Sequence, residues 1–120
     1  MFVWVVHVEP EVTEWLESLD AKSLGQVADA IEILKDQGPA LGRPLVDTIS
    51  HTRLKNLKEL RPGSVKRSEI RILFAFDPVR QAVLLVGGDK SKEWNSWYKE
   101  AIPLAEARFE RHKKRLAGES

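Results

Sequence analysis

Seven cations fall within twenty-four residues. Arg53, Lys55, Lys58, Arg61, Lys66, Arg67 and Arg71 lie in residues 51–74 against only Glu59 and Glu69, a net charge of +5. The first fifty residues carry three basic and nine acidic side chains (net −6), and residues 75–120 carry nine against seven (net +2). An overall charge of +1 thus hides a basic segment on an acidic scaffold, the pattern of a localised anion-binding face. Arginines and lysines that converge on one patch bind phosphate through charge-assisted, partly bidentate hydrogen bonds. Arg61, Arg71 and Lys58 are the candidates for such a patch, with Lys90 following the last strand. Trp94, Trp97 and Tyr98 come next, and rings of this kind either stack on bases or fill a sheet face. For the tryptophans, helical spacing favours packing. The competing reading of the whole segment is a set of solvated charges.

Other chemistries lack their parts. With no cysteine there is no disulfide framework, thiolate zinc site or thiol nucleophile. His7, His51 and His112 match no metal-ligand spacing, and Gly87-Gly88 alone is a weak phosphate-loop signal. No metal and no cofactor is expected. His7, inside an apolar stretch, reads as structural.

These residues need a scaffold. The opening FVWVVHV is rich in β-branched and aromatic residues and predicts a strand. Pro10 suits a first helical turn, and Val12, Trp15, Leu16 and Leu19 give an amphipathic helix over 10–19. Glu9, Glu11 and Glu14 lie at its start, where the helix dipole favours negative charge. Asp20 caps a second helix with a Leu24, Val27, Ile31 and Leu34 stripe, stopped by Gly38-Pro39. Residues 39–53 read as a loop. From Leu54 the period changes to two: LKNLKELR (54–61) is a strand, Ile70 to Phe76 a half-buried strand, and Gln81 to Val86 a strand ending at Gly87-Gly88. Ser91 caps a final helical region in which Trp94, Trp97, Tyr98 and Ala101 share a face, and Pro103 starts or kinks a further helix. The fold class is α+β: an N-terminal strand, a helical hairpin, an antiparallel three-strand meander and a C-terminal helix.

At 120 residues and 13.6 kDa the chain is expected to form one domain, 1–120, able to bury a core. Its 42% hydrophobic and 31% charged content argues against disorder. The longest apolar runs, Phe2–Val6 and Ala82–Val86, fall far short of the ~20 residues of a membrane helix. No basic segment precedes the first of them, so a cytoplasmic protein is expected.

The order of elements, together with LKELRPGSVKRSEIRILFAFD and VLLVGGDKSKEWNSWYKEAIPLAEARF, resembles the RelE/ParE superfamily of bacterial toxins, specifically its phage-derived HigB-type branch. The most specific parts are Glu59-Leu60-Arg61, Arg71-Ile72-Leu73, and Asp89-Lys90 followed by Trp94–Tyr98. The resemblance implies a toxin that cleaves mRNA in the ribosomal A site without metal. The ribose 2′-hydroxyl attacks the adjacent phosphate and leaves a cyclic phosphate and a 5′-hydroxyl. It implies that Arg71 stabilises the transition state, that Arg61 binds the scissile phosphate and that Lys90 adds charge. Tyr98 is then the hydroxyl for proton transfer or stacking, and Lys58 and Glu59 compete for the role of base. Members of the family place two lysines where this chain has Leu57 and Glu59. Lys55, Lys66, Arg67, Lys92 and Trp94 are candidate RNA contacts. The implied partners are a helix-turn-helix, HigA-type antitoxin, the ribosome and mRNA, with a higher-order toxin–antitoxin complex and no membrane. The rivals are a ParE-like gyrase inhibitor on the same fold and a plain RNA-binding module.

Overall fold

The computed structural model describes residues 3–63, 68–89 and 94–118. Strand β1 (Val5–Val8) leads into helices α1 (Pro10–Glu17) and α2 (Ala21–Gln37), then a 3₁₀ turn (Gly38–Ala40). Strands β2 (Val46–Thr48), β3 (Lys58–Leu60), β4 (Ile70–Phe76) and β5 (Gln81–Asp89) follow, and helix α3 (Trp94–Leu116) completes the described chain. Asp20 caps α2 as its position predicts, accepting from the Ser23 amide at 2.7 Å.

The strands form one mixed sheet in the order β1-β5-β4-β3-β2. β2 to β5 pair antiparallel, whereas β1 lies parallel to β5 with Val5 opposite Gln81. Helices cover both faces. Ile70, Ile72, Phe74 and Leu84 pack with Val12, Val27, Ala30 and Leu34 of α1 and α2. On the other face Leu57, Leu73, Ala75 and Val83 pack with Ala101, Ala105 and Phe109 of α3. β4 is therefore buried on both sides, not half-buried as its alternation suggested.

Four further expectations are corrected. The loop over 39–53 contains β2, whose pairing with β3 supplies what its three residues lack in local pattern. The strand expected over 54–61 shrinks to 58–60, because Asn56 takes a left-handed backbone (φ 63°) that no strand accommodates. Gly87-Gly88 does not end β5 but lies inside it. A Cβ on Gly87 would overlap the Trp15 indole, and one on Gly88 the Trp97 indole, so the two rings need bare backbone on opposite faces. Pro103 neither starts a new helix nor stops α3, which runs through it.

A bulge at Leu85 places Leu85 and Val86 successively toward α3. The Arg108 guanidinium donates to the Leu85 carbonyl at 2.9 Å.

Candidate functional site

Strand register decides which sequence-predicted residues meet. Asp47, Glu59 and Leu73 are cross-strand neighbours, and Leu73 packs toward α3, so all three share that face. Arg71, one step before the apolar Ile72 of the opposite face, also turns toward α3 and lies opposite Gly88. Lys58 pairs with Phe74, which packs under α1 and α2. The structure thus separates Lys58 from Arg61 and Arg71 by the thickness of the sheet, because adjacent residues of a strand point to opposite sides.

At the centre of the face stands Glu59, its side chain 2% exposed. The Tyr98 hydroxyl, carried by α3, donates to its Oε1. Arg61 Nε donates to Oε2 at 3.1 Å, while its second arm reaches Asp47 Oδ2 at 3.1 Å. Arg61 thereby bridges two carboxylates that the register sets directly opposite each other, a pairing that repels without a cation between. Arg43 donates to the same Asp47 oxygen at 2.9 Å. That bond, with the charges of Arg43 and Arg61, holds the Asp47 carboxyl below its ordinary pKa.

Arg71 is anchored from below. Its Nη1 donates to the carbonyls of Ser68 and Ile70 at 2.8 and 2.7 Å. Its Nε lies 3.8 Å from Glu59 Oε1 and has no hydrogen-bond acceptor among the described residues. Burial first, and then the bond to and charge of Glu59, raise the Tyr98 pKa above its ordinary value, so this phenol keeps its proton at neutral pH. The arrangement is an arginine pair organised around an internal anion, with a phenol on the same anion.

Beyond this cluster, Lys55 is exposed in the turn before β3, and Trp94 is the first residue of α3. Lys66, Arg67, Lys90 and Lys92 lie outside the described residues, as does Ser91. Asp47 was missed by sequence reasoning because it stood in a segment read as loop; only its pairing with Glu59 shows its place. Tyr98 also lines a groove of about 570 Å³ together with His51, Thr52, Lys99, Ile102, Pro103 and Glu106.

A second polar cluster joins β1 to the end of α3. Glu9, fully buried, accepts from Arg111 Nη2 at 2.6 Å and from Arg115 Nη2 at 2.7 Å, and pairs with His7 Nε2 at 2.7 Å. His112 Nε2 pairs with Asp77 Oδ2 at 2.7 Å, and the rings of His7 and His112 lie 4.8 Å apart. Among the described residues, His7, Glu9 and His112 bring ligand-type atoms within 4.8 Å of one another. Two guanidiniums already neutralise that carboxylate and oppose a divalent cation beside it. The cluster is a charge-balanced anchor for α3, which agrees with the structural reading of His7.

The fold and its layers define a RelE-like α+β protein: the archaeal RelE–RelB complex of Pyrococcus horikoshii, a solved structure, contains a chain that superposes with a TM-score of 0.59. The match covers 75% of this chain and 98% of that one at 16% identity. The chain belongs to the phage-derived, Gp49-like family (DUF891), whose model matches residues 14–110. HigB3 of Mycobacterium tuberculosis, named as a toxin, is 48% identical over 84% of this chain and 86% of its own length. HigB2 of the same organism, also named as a toxin, is 52% identical over 91% of this chain. This chain spans only about half of HigB2, 54% of its length. No helix among the described residues is long and apolar enough to cross a membrane.

Proposed function

We propose that the chain is the toxin of a type II toxin–antitoxin system and cleaves mRNA on the ribosome, with a HigA-type, helix-turn-helix antitoxin as its partner in the cytoplasm. The observation that carries this reading is the convergence of Arg61 and Arg71 on one buried carboxylate beside the Tyr98 hydroxyl. Family membership and the toxin names of two relatives support it. Fold alone does not fix function, so the argument rests on the site.

Attack of a 2′-hydroxyl on phosphorus builds charge on the phosphoryl oxygens. Guanidiniums held in place before the reaction stabilise that charge without reorganising. Arg71 is held by two backbone carbonyls and Arg61 by two carboxylates. An incoming phosphate competes with Glu59 and Asp47 for the same cations, so at rest these carboxylates offset most of the charge of Arg43, Arg61 and Arg71.

The test is a cell-free translation reaction with the wild-type chain and with Arg61→Ala, read by primer extension on the message. The expected result is cleavage only when ribosomes are present, with a rate about 10²–10³ lower in the variant. Intact message and unaffected translation remove the reading, and gyrase-dependent DNA breaks would replace it with a gyrase poison.

A further inference from the structure

We propose that Arg53, latched to α3 by Glu106, is an outer phosphate-binding site for single-stranded RNA and holds the message beyond the bond to be cut. This rests on the nuclease reading and names where its substrate runs.

The strap between β2 and β3 carries the site. Two of its residues, His51 (φ 58°) and Asn56 (φ 63°), take left-handed backbone, which residues other than glycine keep only where their surroundings enforce it. Glu106 of α3 does the enforcing. Its Oε2 accepts from the Thr52 hydroxyl at 2.8 Å and from the Arg53 amide at 2.7 Å. The Thr52 oxygen in turn accepts from the Leu54 amide at 3.0 Å. Its Oε1 takes Arg53 Nε and Nη2, each at 3.3 Å. A single carboxylate thus fixes the strap's backbone and orients its cation. The Thr52 bond first, and then the bonds and charge of Arg53, hold the Glu106 carboxyl below its ordinary pKa against the effect of burial, so the latch is charged at neutral pH.

The Glu106 side chain is 11% exposed and that of Arg53 86%, so the anion is withdrawn while the cation stands in solvent. Glu106 uses one edge of the guanidinium, and Nη1 with the second hydrogen of Nη2 is left as a fork for a phosphate. Arg53 and Glu106 also line two neighbouring grooves. The larger, about 570 Å³, includes Tyr98 and Lys99, and the smaller, about 350 Å³, includes Lys113. Lys99, Arg53 and Lys113 therefore follow one another alongside α3, with Ile102, Leu54 and Phe109 as apolar lining between them. Charged grooves with apolar walls suit a single strand, whose phosphates alternate with flat bases. Tyr98 joins this path to Arg61 and Arg71, because its hydroxyl bonds the carboxylate those arginines share. Arg53 is the phosphate contact and Glu106 its positioning residue.

The test uses the full chain, a short 2′-O-methyl poly(U) strand that cannot be cleaved, and ribosomes carrying message. Arg53→Ala is expected to bind the strand about 3–10-fold more weakly. It should also flatten the slope of log affinity against log salt by about 0.7, the share of one phosphate on a single strand. Arg53→Lys, which keeps the charge but not the fork, should recover the slope and not the affinity. In the wild type the strand should slow hydrogen exchange at the Arg53 and Leu54 amides. On ribosomes Arg53→Ala and Glu106→Gln are each expected to raise KM about 3–10-fold, with the loss confined to KM. The double variant should do no worse than the worse single one, whereas a Glu106 that only fastens the strap makes the two losses multiply. Thermal melts verify folding. Wild-type affinity and slope in Arg53→Ala, or multiplying losses, overturn the site while leaving the nuclease intact. Equal protection of the two amides by poly-glutamate overturns its assignment to RNA. A wild type that binds the strand through Arg53 and cleaves nothing on ribosomes overturns the nuclease reading instead.

Discussion

Glu9 and Arg111 stand 102 positions apart in the chain and meet at 2.6 Å, joining the start of α1 to the last turns of α3. Arg115 bonds the same carboxylate, so the buried charge of Glu9 has two guanidinium partners. Removing both, in Arg111→Ala with Arg115→Ala, leaves that charge buried beside His7 alone. The expected loss is about 3–5 kcal/mol, read by chemical denaturation at neutral pH. An unchanged midpoint would mean that water reaches Glu9.

The same carboxylates set the acid limit. Burial by itself raises the Glu9 pKa, but bonds from Arg111 and His7 and the charges of Arg115 and Arg111 outweigh it and hold it below its ordinary 4.5. Glu11, bonded by Arg111, is lowered to about 2. A carboxylate whose folded pKa lies below its unfolded one adds stability that is complete above the unfolded value and drains as pH falls toward the folded value. For Glu11 that window runs from 4.5 down to about 2. Acid unfolding followed by circular dichroism should therefore move to higher pH in Arg111→Ala.

Two glycines should answer substitution with opposite signs. Gly25 sits within α2, and a Cβ there meets nothing within 4 Å. Gly25→Ala is expected to stabilise by about 0.5–1 kcal/mol through helix propensity and a more restricted unfolded chain. Gly88→Ala drives a methyl into the Trp97 indole and is expected to cost about 1–3 kcal/mol. Thermal melts of the two variants side by side decide it.

Arg61 separates two carboxylates that β2 and β3 set face to face. Arg61→Ala should cost about 1–3 kcal/mol, since it leaves Glu59 short of a charged partner. Adding Asp47→Asn removes the repulsion and should recover part of the loss. A double-mutant cycle measures this coupling, and simple additivity would refute it.

Arg71→Lys keeps the charge but not the planar guanidinium, whose one terminal nitrogen donates to both Ser68 and Ile70 and leaves its other nitrogens for a second anion. We expect it to fold less stably and to fall well below the wild type in the cleavage reaction, because all three lysine donors sit on one nitrogen and cannot reach the two carbonyls on one side and a phosphate on the other as a planar guanidinium does. Wild-type cleavage by this variant would reduce Arg71 to a point charge.

Much of the architecture is legible because local rules and packing agree. The Asp20 cap, the α2 stripe and the alternation of β4 each announce their element. At β2 and β5 they failed because a distant contact decides the element. β2 has three residues and no periodic pattern, and it exists because β3 pairs with it. β5 runs through two glycines because Trp15 and Trp97 cover them. In the site, parity along β3 and β4 already placed Glu59 and Arg71 on alternating faces that could be matched. The entry of Tyr98 from α3, and of Asp47 from the supposed loop, needed the third dimension. The meeting of His7 with His112 depends on β1 lying beside β5, which no local period records.

That parallel pairing of the first and last strands has a kinetic consequence. Val5 has no partner until Gln81 has been made, and Glu9 waits for Arg111. Contacts this remote in sequence slow folding, since the chain must close a long loop before it gains from doing so. On a nascent chain, β3 and β4 can pair early and bring Glu59 beside Arg71, but Tyr98 arrives only when α3 docks. The bond between Tyr98 and Glu59 thus marks completed assembly, and a chain halted before α3 carries its arginines without the phenol that completes them.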